Sequence, residues 1–154
     1  MEIRKGLAMG ENAGFKWNDN FLLGYKQMDD NHREFVELVD VLLTAGDSDL
    51  SEALAAFARH AQTHFEQENR WMEHEEFPAR NCHVDEHAKV LKSVNEVQQK
   101  LACGDVAIVR ELAAALMDWF PGHADYLDSA LATWLVKRTH AGSPLVFRRQ
   151  ISGK

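Results

Sequence analysis

Seven histidine and carboxylate residues occur at spacings that place them on helix faces, and their side chains are types that bind metal ions. The set is His32, His64, Glu68, His83, His87, His123 and Asp128. His64 and Glu68 are four residues apart, which makes them neighbours on one face of a helix. The same spacing separates His83 from His87.

Apolar residues flank these polar side chains at helical intervals. Phe35 and Val36 follow His32 by three and four residues. Met72 follows Glu68 by four. A single histidine on such a stripe is more often a hydrogen-bonded core residue, and each four-residue pair alone also fits a solvated helix surface. Two carboxylates buried among five imidazoles would each be penalised by several kcal/mol unless a metal ion bound them. The combination therefore predicts a metal site in the core.

The donor types indicate which metal ions fit this site. Imidazole and carboxylate donors without thiolate suit iron, manganese, cobalt or zinc, and they disfavour an iron-sulfur cluster. Seven ligands exceed the needs of one ion, so two ions are predicted. If both ions are octahedral and both carboxylates bridge, the protein fills nine of twelve positions and one bridging oxygen from water fills two more. One open position favours a site that binds a small molecule over a closed structural site.

Four amphipathic segments must position these side chains, and no strand pattern accompanies them. The predicted helices cover residues 28–45, a segment from 47–49 to the loop at 75–81, a segment ending at Gly104, and one from Asp105 to near His140. The side chains of residues 47–49 are candidate N-caps for the second helix. Short connections between long helices predict an all-α, antiparallel up-down-up-down four-helix bundle.

The bundle is predicted to be one domain, residues 19–140, between two extensions. Residues 1–18 are glycine-rich and predict an irregular N-terminal arm, and residues 141–154 predict a short basic tail. One apolar stripe per helix favours a monomer.

The fourth helix contains two irregular features. Pro121 lies inside it, two residues before His123, and is expected to kink it. His123 and Asp128 are five residues apart, which an ideal α-helix places about 140° from each other. We therefore predict a widened π turn at this point. In the second helix, His60 precedes His64 by one turn and is predicted to be a surface histidine rather than a partner of the site.

Composition excludes several classes of protein. The formal net charge of -7 argues against a general nucleic-acid binder. The apolar stretches are shorter than the roughly 18 residues that a membrane span needs, and no signal peptide is visible. The two cysteines form no disulfide framework, so a cytoplasmic location is expected.

Three groups of residues resemble the motifs of bacterial hemerythrins. The first comprises Trp17, Phe21, Gly24, Met28, Asp29 and His32. The second comprises the run from His64 to Glu68, then Met72, Phe77, Pro78, His83 and His87. The third comprises Trp119, His123 and Asp128. The resemblance covers roughly residues 17–137, and all seven ligand positions are filled.

The resemblance implies a four-helix bundle around a non-haem di-iron centre with an oxo or hydroxo bridge. By position, one iron would be held by His83, His87 and His123. The other, with the vacancy, would be held by His32 and His64. Glu68 and Asp128 would bridge the two irons. The implied function is reversible O2 binding, for transport, storage or delivery, with the oxygen held as hydroperoxide on one iron. By the same resemblance Phe35, Trp119 and Phe120 line the oxygen pocket.

Two alternative functions remain open from the sequence. A di-iron oxidase or peroxidase would use the same centre, but oxygen-activating bundles are typically richer in glutamate. An oxygen or redox sensor, or an iron store, is the second alternative, although sensors of this family are usually fused to a signalling domain. A non-enzymatic oxygen carrier is therefore favoured, and any oxygen-consuming partner protein is unknown.

Overall fold

The computed structural model describes residues 14–139, and within this range the chain forms five α-helices, three short 3₁₀ or π segments and no strand. The α-helices are α1 (Lys26–Thr44), α2 (Leu50–His74), α3 (Arg80–Ala102), α4 (Ala107–His123) and α5 (Ser129–Thr139). A π turn, Ala124–Asp128, joins α4 to α5, so the last two segments form one long interrupted helix. The predicted all-α four-helix fold is confirmed, and the helix ends agree with the sequence pattern to within a few residues.

The four long helices surround a common core. α1 packs against α2 and α4, and α3 packs against the same two helices. Because consecutive helices are joined by short connections, neighbours run antiparallel. His140, the proposed tail 141–154 and residues 1–13 of the proposed arm lie outside the described residues. None of the helices in the described part of the chain has the length and apolar content needed to cross a bilayer.

Two apolar clusters fill the bundle, and a polar layer separates them. The larger cluster includes Phe35, Leu54, Phe65 and Phe120. The smaller one is built on Met28, Met72, Phe77, Leu131, Ala132 and Leu135. Along α1, His32 lies between Met28 of the smaller cluster and Phe35 of the larger one. Glu68 stands in the same way between Phe65 and Met72 on α2. The apolar residues on each side therefore fix the height at which the polar side chains meet.

The π turn predicted from the spacing of His123 and Asp128 is present. The Ser129 N–H donates to the Ala124 carbonyl, five residues earlier, as in a π-helix. Spreading one turn over five residues brings His123 and Asp128 onto the same side of the helix. Pro121 lies within α4 and removes one backbone donor there. The kink expected at Pro121 stays a prediction.

The connection between α1 and α2 differs from the sequence expectation. Asp47–Asp49 form a 3₁₀ turn, and the Asp49 side chain makes no capping hydrogen bond to α2. Asp47 instead accepts from the Arg110 guanidinium at 2.8 Å. Arg110 also donates to the backbone carbonyls of Leu42 and Ala45, at 3.0 and 2.6 Å. Asp49 therefore occupies the predicted N-cap position of α2, but its side chain does not cap the helix, and Asp47 binds an arginine from α4 instead.

The described end of the N-terminal arm lies against the bundle. The Phe15 N–H donates to Asp40 Oδ1 at 2.8 Å, and Lys16 pairs with Asp40 Oδ2 at 3.0 Å. Phe15 is buried, and its ring and that of Phe21 meet the Phe120 ring edge-on at 6.0 and 5.2 Å. This segment therefore covers the aromatic residues next to the polar layer.

Candidate metal centre

The structure brings all seven predicted ligand residues together in the core. Each is between 0 and 5% exposed. One donor atom from each member of a group lies within 4.8 Å of the others, and the groups share one residue. The larger group is Glu68, His83, His87, His123 and Asp128. The smaller group is His32, His64 and Glu68. The two groups together draw on α1, α2, α3, α4 and the π turn, so the bundle must fold before the site exists.

Glu68 divides its two carboxylate oxygens between the groups. Oε2 lies 3.0 Å from His64 Nε2 and 3.7 Å from His32 Nε2. Oε1 lies 3.2 Å from His87 Nε2 and 3.5 Å from His83 Nε2. One carboxylate thus presents a separate oxygen to each set of imidazoles.

Asp128 divides its oxygens in the same sense. Oδ2 lies 2.9 Å from His32 Nε2. Oδ1 lies 2.8 Å from His83 Nε2 and 3.2 Å from His123 Nε2. The site therefore has a two-histidine side, His32 and His64, and a three-histidine side, His83, His87 and His123, joined by two carboxylates.

The donor set fits metal ions better than it fits hydrogen bonding. Most of the inward-facing atoms are buried and lack a hydrogen-bond partner, namely His32 Nε2, Glu68 Oε1, His83 Nε2, His87 Nε2, His123 Nε2 and Asp128 Oδ1. Buried polar atoms without partners are costly. An octahedral ion with bonds of about 2.1 Å holds adjacent donors roughly 3.0 Å apart. The nitrogen–oxygen distances of 2.8 to 3.7 Å cluster around that value.

Without metal, two of the imidazoles, those of His32 and His83, take up protons to balance the carboxylates. Burial lowers the pKa of His32, but the close carboxylates of Asp128 and Glu68 outweigh burial and raise it to about 9. The same opposing effects raise the pKa of His83 to about 9. Burial also disfavours the ionised carboxylates, yet the surrounding histidines hold the pKa of both Glu68 and Asp128 well below the usual range.

Three of the histidines have an outward partner at Nδ1. His87 Nδ1 donates to Asn69 Oδ1 at 2.8 Å, and His123 Nδ1 donates to Glu86 Oε1 at 2.9 Å. A hydrogen bond at Nδ1 fixes the ring orientation and leaves Nε2 facing the centre. Sequence reasoning did not identify Glu86, although it lies between His83 and His87 on α3.

The third outward partner corrects a prediction. His60 was expected at the surface, but its side chain is only 7% exposed and its Nε2 lies 3.1 Å from His64 Nδ1. Burial is the main cause that lowers the pKa of His60 to about 4. The α1 helix covers this part of α2, which the periodicity of α2 alone does not reveal.

The three predicted pocket aromatics lie beside the centre but on different sides of it. The Phe120 ring meets His32 edge-on at 5.2 Å and stacks with Phe35, also at 5.2 Å. Phe35 in turn meets His64 edge-on at 6.0 Å. Trp119 stacks on His123 at 4.2 Å, on the three-histidine side.

Sequence reasoning missed another aromatic neighbour, Phe65. Its ring stacks on His87 at 4.1 Å with an interplanar angle of 5°. Its position next to His64 in the sequence was the available signal.

Comparison with known proteins places this geometry in context. The model of the hemerythrin HHE cation binding domain matches residues 23–135. A bacteriohemerythrin of Ralstonia nicotianae is 39% identical over 123 residues, which is 80% of this chain and 90% of the relative. The crystal structure of wild-type hemerythrin superposes with a TM-score of 0.72 at 21% identity, covering 78% of this chain and 96% of that one. A leucine-to-alanine mutant of hemerythrin gives the same TM-score and identity.

Proposed function

Because the chain belongs to the hemerythrin family, we propose that it binds dioxygen reversibly at two iron ions held by its seven buried histidine and carboxylate side chains. The observation that carries the proposal is the shared use of Glu68 and Asp128. Each turns one oxygen toward the two-histidine side and the other toward the three-histidine side, which is the arrangement that two adjacent ions require. A single ion would leave the remaining buried donors without partners.

The two sides of the site offer different numbers of donors. Three imidazoles and two carboxylate oxygens give five on one side, and two imidazoles and two oxygens give four on the other. An octahedral ion has six coordination positions. The ion on the two-histidine side therefore has one more position free for an external ligand than the ion on the three-histidine side. We therefore assign oxygen binding to the side of His32 and His64.

Iron would supply the redox chemistry, since two ferrous ions can give dioxygen two electrons and recover them on release. The chain's own residues set the surroundings. Phe35 and Phe120 are buried and lie against the two-histidine side, where they exclude water. Asn69 and Glu86 hold His87 and His123 from outside. These residues give a dry and rigid site, which favours release of oxygen over further reaction.

The composition of the site favours binding over catalysis. Oxygen-activating di-iron bundles use two Glu-x-x-His pairs with two further glutamates, which makes their sites rich in carboxylate. Here five imidazoles accompany only two carboxylates. We also propose a reducing cytoplasm, supported by the exposed and unpaired state of Cys82 and Cys103. The proposal of a monomer rests separately on the single apolar stripe of each helix.

Absorption spectroscopy tests the proposal. The purified protein is loaded with ferrous iron under nitrogen and then cycled between air and argon. A visible charge-transfer band that appears in air and disappears in argon, at two irons per chain, is expected. The His64→Ala variant should lose the band. The matched control His74→Ala, on the same helix with a side chain 84% exposed, should keep it. Irreversible bleaching in air would overturn the carrier function.

A further inference from the structure

We propose that His60 is a positioning residue for the two-histidine side of the centre. Its side chain orients the His64 ring on α2 and contacts the backbone of α1 next to His32. The inference rests on the proposed function, because it takes His64 as a metal ligand. It assigns to His60 a role that the seven-ligand pattern does not contain.

The contacts of the His60 ring point in two directions. On one side its Nε2 lies 3.1 Å from His64 Nδ1. On the other side the ring meets the Asn31 backbone, and its Nδ1 lies 3.6 Å from Glu34 Oε2. Asn31 directly precedes His32, so one side chain touches the ligand on α2 and the backbone next to the ligand on α1.

Hydrogen-bond logic fixes what His60 does. His64 turns Nε2 toward Glu68, and an imidazole that binds an ion through Nε2 carries its proton on Nδ1. His60 Nε2 is then the acceptor of that proton. The remaining His60 N–H, on Nδ1, lies 3.6 Å from the Glu34 carboxylate on α1. This order of donors and acceptors holds the His64 ring with Nε2 facing inward.

His60 stands at the base of an open cleft between α1 and α2. The cleft has a volume of about 380 Å³ and is lined by Asn31, Glu34, Leu38, Arg59, Thr63 and the two histidines. The three-histidine side is held differently, since His87 and His123 use Asn69 and Glu86. His60 therefore acts on one side of the centre only, and a change there should weaken one ion and spare the other.

Cobalt binding to the metal-free protein tests this selectivity. The wild type is expected to bind two Co²⁺ ions by calorimetry. In His60→Leu, which removes the hydrogen bond to His64, the ion on the two-histidine side should bind 10- to 100-fold more weakly, the usual effect of losing an outer hydrogen bond to a metal ligand. His60→Gln should largely restore affinity, since its amide oxygen can accept from His64. Thermal unfolding of each metal-free variant checks that it folds.

Proton NMR of the cobalt protein shows which ion is affected. With one equivalent of Co²⁺, His60→Leu should give three shifted, exchangeable imidazole N–H signals, from the three-histidine side. The matched control Asn69→Leu removes the hydrogen-bond partner of His87. With one equivalent of Co²⁺ it should instead give two shifted N–H signals, from His32 and His64. A further measurement needs no variant. In the wild type with two Co²⁺ ions bound, the His64 Nδ1–H should exchange slowly with solvent, because it donates to His60.

Three results would overturn the inference. They are equal Co²⁺ affinities in His60→Leu and the wild type, no rescue by His60→Gln, or rapid solvent exchange of the His64 N–H. Failure of the wild type to bind two ions would instead contradict the proposed function itself, so the two failures are distinguishable.

Discussion

Glu68 on α2 and Asp128 in the π turn meet the same buried histidines, and both turn one oxygen to the two-histidine side and the other to the three-histidine side. Both carboxylates are no more than 1% exposed. The burial of both carboxylates is important because a carboxylate at the protein surface could not contact both sets of imidazoles. It makes the two halves of the centre depend on the same two side chains.

Replacement of Glu68 by glutamine should abolish the binding of two ions. An amide presents only one oxygen, so one set of imidazoles faces an N–H group instead of a donor to the metal. We expect iron content to fall from two to at most one per chain. Glu66→Gln, an exposed position two residues earlier on the same helix, is the matched control and should retain two. Full iron content in Glu68→Gln would contradict the bridging role.

Metal binding should release at least two protons per chain at pH 7.5, two from histidines and a third if the water that bridges the ions binds as hydroxide. The pKa of His32 and that of His83 are each raised to about 9 in the metal-free protein, so both imidazoles are protonated at this pH and must lose a proton to bind. The carboxylates contribute none, because their pKa values are lowered. Calorimetry in buffers of different ionisation enthalpy counts the protons. A count near zero would show that the two histidines are already neutral.

The metal-free protein should lose stability as the pH rises from about 6.5 to 9. His32 and His83 have folded pKa values above the unfolded value of 6.5, so their contribution is complete below that pH and disappears as the pH passes 9. Urea unfolding at pH 6.5, 8 and 9.5 measures the trend. The metal-loaded protein should not follow it, since its imidazoles are already neutral ligands. If the metal-free protein had equal urea midpoints at pH 6.5, 8 and 9.5, the folded protein would not hold His32 and His83 in the protonated form.

Substitution of Phe120 should shorten the life of the oxygenated protein more than substitution of Trp119. Phe120 contacts His32 on the proposed oxygen side, whereas Trp119 stacks on His123. Phe120→Leu should admit water and speed the irreversible decay of the absorption band several-fold. Leucine is chosen because it leaves a smaller cavity than alanine. A phenylalanine-to-alanine change in a core lowers the free energy of unfolding by about 3–5 kcal/mol. Faster decay in Trp119→Leu than in Phe120→Leu would place oxygen on the other side.

Spacing along single helices predicted much of this molecule. The four helices, the buried positions of the seven residues and the π turn between His123 and Asp128 all follow from periodicity within one segment. Whether the seven side chains bind metal stays a prediction that the geometry supports.

Contacts between helices were harder to predict. Burial of His60 and the hydrogen bond from His123 to Glu86 depend on how neighbouring helices are rotated, which no single stripe encodes. The pairing of Asp47 with Arg110 has the same origin, because the arginine reaches the turn from α4.

Oxygen uptake and recovery test the central claim most directly. The ferrous protein is titrated with dissolved O2 in a sealed cell, then purged with argon while the released gas and any hydrogen peroxide are measured. We predict uptake of one O2 for every two irons, and recovery of nearly all of it as O2 over repeated cycles. Recovery as hydrogen peroxide, with iron left ferric after the first cycle, would contradict reversible binding and indicate an oxidase.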